Sequence, residues 1–71
     1  MDKELFRFIR ISKRMTQREF AKKLGVSHAL VAEIERGNRR ITTRTRNKVM
    51  HSFGFSKSDI SHYTEFLQKV M

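Results

Sequence analysis

The chain has 71 residues, which is enough for one domain with a modest core, and we assign residues 1–71 to that single domain. It contains no cysteine, so disulfides and thiolate-bound zinc are excluded and stability must come from packing. The formal net charge of +9 predicts attraction to a polyanion, namely nucleic acid, an anionic membrane surface or an acidic protein.

The first predicted element is a helix over about residues 2–13, where Leu5, Phe6 and Ile9 recur at helical spacing.

The start of the chain lacks the uninterrupted apolar stretch and cleavage site of a signal peptide. No apolar run approaches the roughly 20 residues of a membrane span. We therefore expect a cytoplasmic protein that does not contact a membrane.

The second predicted helix has a well-marked start. Thr16 and Glu19 form a capping-box pattern, and Met15 and Phe20 are spaced as a hydrophobic staple around it. Gly25 is predicted to end this helix, because glycine readily adopts the left-handed conformation that follows a helix.

A third helix is predicted to begin directly after the turn. Ser27 is a suitable N-cap, with Val26 and Val31 as a second staple, and Gly37 marks the end. The pattern therefore predicts two short helices joined by about three residues.

The fourth helix is expected near residues 43–53, with Val49, Met50 and Phe53 as its apolar positions. Gly54 ends it. No acidic residue occurs between positions 37 and 58, so the segment that leads into this helix is strongly basic.

A last helix over about residues 58–71 follows a second capping-box pattern, formed by Ser56 and Asp59. Phe66 and Met71 are predicted to lie partly away from the core, so this helix is a candidate dimer contact. Packing of Phe66 against the fourth helix is the alternative. The inward-facing positions are predicted to be Ile60, Tyr63, Leu67 and Val70.

Residues 16–36 resemble the helix-turn-helix of the lambdoid phage repressors and Cro, the XRE family. The pattern is carried by a small residue in the first motif helix, Ala21, by Gly25 at the turn, and by the apolar residues Phe20, Leu24, Val26, Val31 and Ile34. The resemblance covers roughly residues 6–55. It implies an all-α fold, a compact five-helix bundle of the lambda repressor type.

The resemblance also implies that the third helix lies in the major groove of double-stranded DNA. Ser27 and His28 are then candidates for hydrogen bonds to bases, Ala29 for contact with a thymine methyl group, and Glu33 for accepting from a cytosine amino group. The alternative is that His28 and Glu33 are merely exposed helix residues.

Contacts with the DNA backbone are implied elsewhere in the motif. Relatives use the glutamine equivalent to Gln17 to bind a phosphate at the start of the second helix. In similar repressors the residues equivalent to Arg10 and Glu35 pair across the first and third helices, which leaves the arginine at the DNA face. Basic segments after the third helix clamp the backbone in relatives, which makes phosphate candidates of Asn38, Arg39, Arg40 and Arg44, with Lys13, Arg14 and Arg18 secondary.

These observations predict a sequence-specific transcriptional regulator, a repressor that binds a pseudopalindromic operator as a homodimer. The alternative is an interaction module that binds a regulatory protein partner through its apolar last helix. We expect no enzymatic activity, cofactor or metal, because His28, His51 and His62 lie on three different helices and no nucleophile-base or metal-ligand spacing occurs.

Overall fold

The protein is described by a computed structural model that covers residues 1–70. Met71, which was expected to end the last helix and to lie partly away from the core, falls outside the described residues. The predicted all-α fold is confirmed over residues 1–70, and no helix there is long and apolar enough to cross a bilayer. The five helices are α1 (Lys3–Ser12), α2 (Gln17–Leu24), α3 (His28–Arg36), α4 (Thr43–Phe53) and α5 (Lys57–Val70).

The predicted helix starts are confirmed at the level of single hydrogen bonds. At α2 the Glu19 backbone N–H donates to Thr16 Oγ1 at 3.0 Å, and the Thr16 N–H donates to Glu19 Oε1 at 2.8 Å. Ser27 Oγ accepts from the N–H of Leu30 at 3.1 Å, which caps α3. These bonds satisfy N–H groups that have no partner within the helix, so both motif helices begin at fixed residues.

The turn between α2 and α3 depends on the backbone of Gly25. Its φ angle is +74°, in the left-handed region, and its N–H donates to the Lys22 carbonyl at 3.3 Å. A side chain at this position is strained whatever space surrounds it. The glycine therefore allows α3 to leave α2 after only three residues.

The core lies between the first four helices. α2 packs on both α3 and α4, while α1 packs on α3 and α5. In α4 the structure buries Val49 as predicted, but it also buries Thr45, whereas Met50 and Phe53 are half-buried. Thr45 was not predicted, because a threonine at this spacing is not part of an apolar pattern. The largest fully buried side chains are Phe6, Ile9, Phe20, Val31, Ile34 and Val49.

The six phenylalanines and the single tyrosine form one continuous series of ring contacts. Neighbouring ring centroids lie 5.1–5.9 Å apart, within the range of favourable aromatic pairs. The series begins in the core at Phe6 and ends at the surface of α5. Its order is Phe6, Phe20, Phe53, Phe55, Tyr63, Phe8 and Phe66.

Helix α5 contributes fewer core residues than its sequence pattern predicts. Val70, which was expected to face inward, is 61% exposed, so that prediction is wrong. The reason is the length of α5: Leu67 already lines a surface pocket with Asp2, the N-cap of α1, and Val70 lies almost one turn further along α5. Phe66 is 53% exposed and stacks on Phe8 of α1, so the alternative of packing against α4 is also wrong.

Candidate nucleic-acid interface

Helix α3 buries one side and presents the other to solvent. Val31 and Ile34 are buried against the core, whereas Ser27, His28 and Ala29 are exposed at the start of the helix. Ser27 is the N-cap, and the consecutive residues His28 and Ala29 lie about 100° apart around the first turn of α3. The structure therefore places the first three of the predicted base-contacting residues next to one another at the exposed N-terminal end of α3.

Glu33, the fourth predicted base-contacting residue, lies on the same helix but is not free. Its side chain is 33% exposed, and Arg36 Nη1 donates to its Oε1. Asn38 Nδ2 donates to Oε2 at 3.0 Å. Each carboxylate oxygen thus already has a donor from the protein, which offsets the cost of placing a negative charge near phosphates.

The predicted pairing of Arg10 with Glu35 is present in the structure. Arg10 Nε donates to Glu35 Oε2 at 2.7 Å and Nη2 donates to Oε1 at 2.9 Å. Arg10 Nη1 also donates to the Met15 carbonyl at 2.8 Å. Because these bonds fix the guanidinium plane, they join the end of α1 to α3 with a defined geometry.

Gln17 lies beside this pair, since its Nε2 donates to Glu35 Oε1 at 3.2 Å. A surface pocket of about 300 Å³ opens here between α1, α2 and α3. Three arginine side chains and one glutamine amide surround one carboxylate, so the pocket carries a net positive charge and several N–H donors. Its lining residues are Arg7, Arg10, Gln17, Ala32, Glu35 and Arg36.

Two of these lining residues, Arg7 and Arg36, were not predicted as site residues. Arg7 Nε is 3.9 Å from Glu35 Oε1, and its side chain is 63% exposed. Arg7 precedes Arg10 by three positions and so lies on the same face of α1. That spacing was the available signal in the sequence.

The segment after α3 provides a second basic surface. Asn38, Arg39 and Arg40 in this segment, and Arg44 in the first turn of α4, are all exposed and so accessible to a phosphate. Arg39 and Arg40 line a pocket of about 370 Å³, and Arg44 is not among its lining residues. Lys3, which was not predicted as a site residue, also lines this pocket. A Cβ atom at Gly37 would lie only 3.0 Å from Lys3 Nζ, so the lysine folds closely over the end of α3.

The described residues 1–70 contain no group of three or more histidine and acidic side chains placed to hold a metal ion. Buried side-chain nitrogen and oxygen atoms all have hydrogen-bond partners in this part of the chain.

The fold and the arrangement of α2 and α3 define an all-α helix-turn-helix domain. The helix-turn-helix family model, of the XRE type, matches residues 6–61. The chain therefore belongs to this helix-turn-helix family, a family of DNA-binding regulators. Neither the curated proteins nor the solved structures include one that matches the chain significantly.

Proposed function

We propose that this protein is a transcriptional repressor that binds a pseudopalindromic operator as a symmetric dimer. In each subunit α3 enters the major groove, where Ser27, His28, Ala29 and Glu33 contact base edges. The main supporting observation is the exposure of Ser27, His28 and Ala29 at the start of α3, in a domain that also has an arginine-lined pocket and an exposed basic segment after Gly37.

Phosphate contacts hold this helix in the groove. The Arg10–Glu35 pair keeps one guanidinium in a fixed orientation, and Gln17 lies at the start of α2, where backbone N–H groups point outward. The net charge of +9 supplies long-range attraction to the DNA backbone. The proposed phosphate-contacting residues are Arg10, Gln17, Asn38, Arg39, Arg40 and Arg44.

The dimer places two copies of α3 about 34 Å apart, one helical turn of DNA. We assign the dimer contact to α5 and the adjoining part of α1. Ile11 is 49% exposed and Phe66 is 53% exposed, which is high for large apolar side chains. Contact between two such surfaces removes apolar area from water and so stabilises the dimer. Repression follows because the bound dimer blocks access to the promoter.

The same apolar surface supports a second candidate function, a module that binds a regulatory protein partner. Ile11, Phe66 and Val70 are the large apolar side chains most exposed among residues 1–70. Under this proposal the apolar surface is the working site, and DNA binding is weak or nonspecific. Both candidates act in the cytoplasm, where the chromosome and its regulators meet.

DNA binding by the purified protein distinguishes the two. Fluorescence anisotropy with double-stranded DNA from upstream of its own gene, at moderate salt, should show saturable binding. A shuffled duplex of equal length and composition is the control, and the repressor proposal requires at least about a 1,000-fold preference for the operator. Equal affinity for the two duplexes contradicts the repressor proposal and favours the interaction module.

A further inference from the structure

The last turn of α3 carries an ion pair on its exposed side. Arg36 Nη1 donates to Glu33 Oε1, one helical turn earlier in the chain, and Asn38 Nδ2 donates to the other oxygen at 3.0 Å. The Arg36 side chain is 66% exposed and that of Glu33 is 33% exposed. The pair is therefore accessible from solvent, and its carboxylate is held from two sides.

This arrangement leaves specific hydrogen-bonding capacity unused. A guanidinium has five N–H donors, and the bond to Glu33 uses one of those on Arg36. A carboxylate has about four acceptor positions, and Arg36 and Asn38 occupy two on Glu33. Side by side, the pair offers N–H donors next to a carboxylate acceptor.

Base pairs differ in the pattern of hydrogen-bond donors and acceptors that they present in the major groove to a side-chain pair such as Arg36 and Glu33. A G·C pair offers two acceptors, guanine N7 and O6, followed by one donor, the cytosine amino group. An A·T pair offers an acceptor, a donor and an acceptor, followed by the thymine methyl group. Two arginine donors beside a carboxylate acceptor match the G·C pattern and mismatch the A·T pattern.

We propose that Arg36 and Glu33 read one G·C base pair as a unit, with Arg36 donating to guanine and Glu33 accepting from the cytosine amino group. This inference rests on the proposed function and adds Arg36 to its base-contacting residues. Asn38 is a positioning residue, since it donates to the Glu33 carboxylate oxygen that Arg36 does not bind.

Two further features of α3 suit this role. The ion pair is nearly neutral as a whole, so Glu33 approaches DNA without the full repulsion of an isolated carboxylate. Ala29 is exposed on the same side of the helix, and Ala32, half-buried, adjoins it. Because alanine side chains are short, they permit the helix to approach the bases closely enough for the longer Arg36 to reach them.

The experiment is a binding selection from a random library of double-stranded DNA, carried out with the unaltered protein and with Arg36→Ala, Glu33→Gln and Lys57→Ala. Arg36→Ala should remove the preference for G·C at one position per half-site, a loss of roughly 5- to 150-fold in discrimination. Glu33→Gln should weaken the preference at that same position. Lys57→Ala removes one positive charge from the exposed start of α5 and should leave the selected sequence unchanged.

Three other outcomes would overturn the inference. If Arg36→Ala weakens binding to all sequences alike, Arg36 contacts phosphate and the inference is overturned. It is also overturned if the Arg36 and Glu33 variants alter different positions, because the two residues then do not act as a unit. If the unaltered protein selects no common sequence, the proposed repressor function fails along with the inference. Circular dichroism of each variant checks that the helices are retained.

Discussion

Arg10 and Glu35 are 25 positions apart in the chain and meet through two hydrogen bonds, from Arg10 Nε at 2.7 Å and from Nη2 at 2.9 Å. The Arg10 side chain is 14% exposed and that of Glu35 is 6% exposed. Glu35 also accepts from Gln17, so one carboxylate connects α1, α2 and α3. The pair therefore contributes both to folding and to the orientation of a cationic group at the candidate interface.

Removing the Glu35 carboxylate should destabilise the protein strongly. Glu35→Ala leaves the Arg10 charge nearly buried with only the Met15 carbonyl as partner, which should cost about 3 kcal/mol of unfolding free energy. Urea denaturation followed by circular dichroism measures this. Glu65→Ala, which removes an exposed carboxylate from α5, is the control and should change stability little.

The same pair should show coupling in DNA binding. In a double-mutant cycle, the affinity losses of Arg10→Ala and Glu35→Ala should be non-additive by about 0.5–3 kcal/mol, because either change alone disorders the other side chain. Additive losses mean that the two residues act independently on DNA, and the positioning role is then wrong.

Phosphate-contacting and base-contacting residues should respond differently to substitution. Gln17→Ala and Arg40→Ala should weaken binding to all sequences similarly, and Arg40→Ala should also lower the salt dependence of log affinity by about one. His28→Ala should instead change the preferred base at one position. Anisotropy titrations with the operator and single-base variants, at several salt concentrations, separate these effects. Equal losses for all three variants on every sequence contradict the assignment of His28.

Phe66 provides a test of the dimer contact. Phe66→Lys removes the stacking on Phe8, which should cost only about 1 kcal/mol because the ring is half exposed. If α5 is the dimer contact, the variant should sediment as a monomer, retain its helical circular dichroism and bind the operator more weakly. Gln68→Lys adds the same charge to an exposed position of α5 and is the control. A folded Phe66→Lys variant that remains dimeric places the contact elsewhere, such as the loop after Gly37.

The start of α5 should be sensitive to acid. The Ser56 backbone N–H donates to Asp59 Oδ2 at 2.8 Å and is the largest cause that lowers the Asp59 pKa below its ordinary value of 3.8. The Ser56 hydroxyl lowers this pKa further, as do the charges of His62 and Lys13. A lowered folded-state pKa contributes stability above the unfolded-state value, and this stability is lost as the pH falls through the folded-state pKa.

We therefore expect the thermal midpoint to decrease as the pH falls below about 3.8, and Asp59→Asn should reduce that decrease. Thermal melts monitored by circular dichroism at several pH values provide the measurement. Glu65→Gln removes a carboxylate from the same helix outside its first turn, and it should leave the acid response intact. If the thermal midpoint of Asp59→Asn decreases with falling pH as much as that of the unaltered protein, the acid sensitivity comes from other groups.

The helix boundaries could be predicted because their signals are local. The Thr16–Glu19 pattern and Gly25 act through hydrogen bonds and backbone conformation within a few residues. The exposure of Val70 could not be predicted, because helical spacing says which residues share a face but not where the neighbouring helix ends. Arg36 was not among the predicted site residues for a related reason, since its exposure depends on which side of α3 the rest of the protein covers.

The series of aromatic rings also gives the protein an internal optical reporter. There is no tryptophan, and Tyr63 is the single tyrosine, so ultraviolet emission from the folded chain comes mainly from one known position. Its ring lies between those of Phe8 in α1 and Phe55 before α5, and its hydroxyl is 3.5 Å from Ser12 Oγ. Any process that lifts α5 from α1 changes the surroundings of that fluorophore. Tyrosine emission and its quenching by iodide can therefore follow the attachment of the last helix in the unlabelled protein.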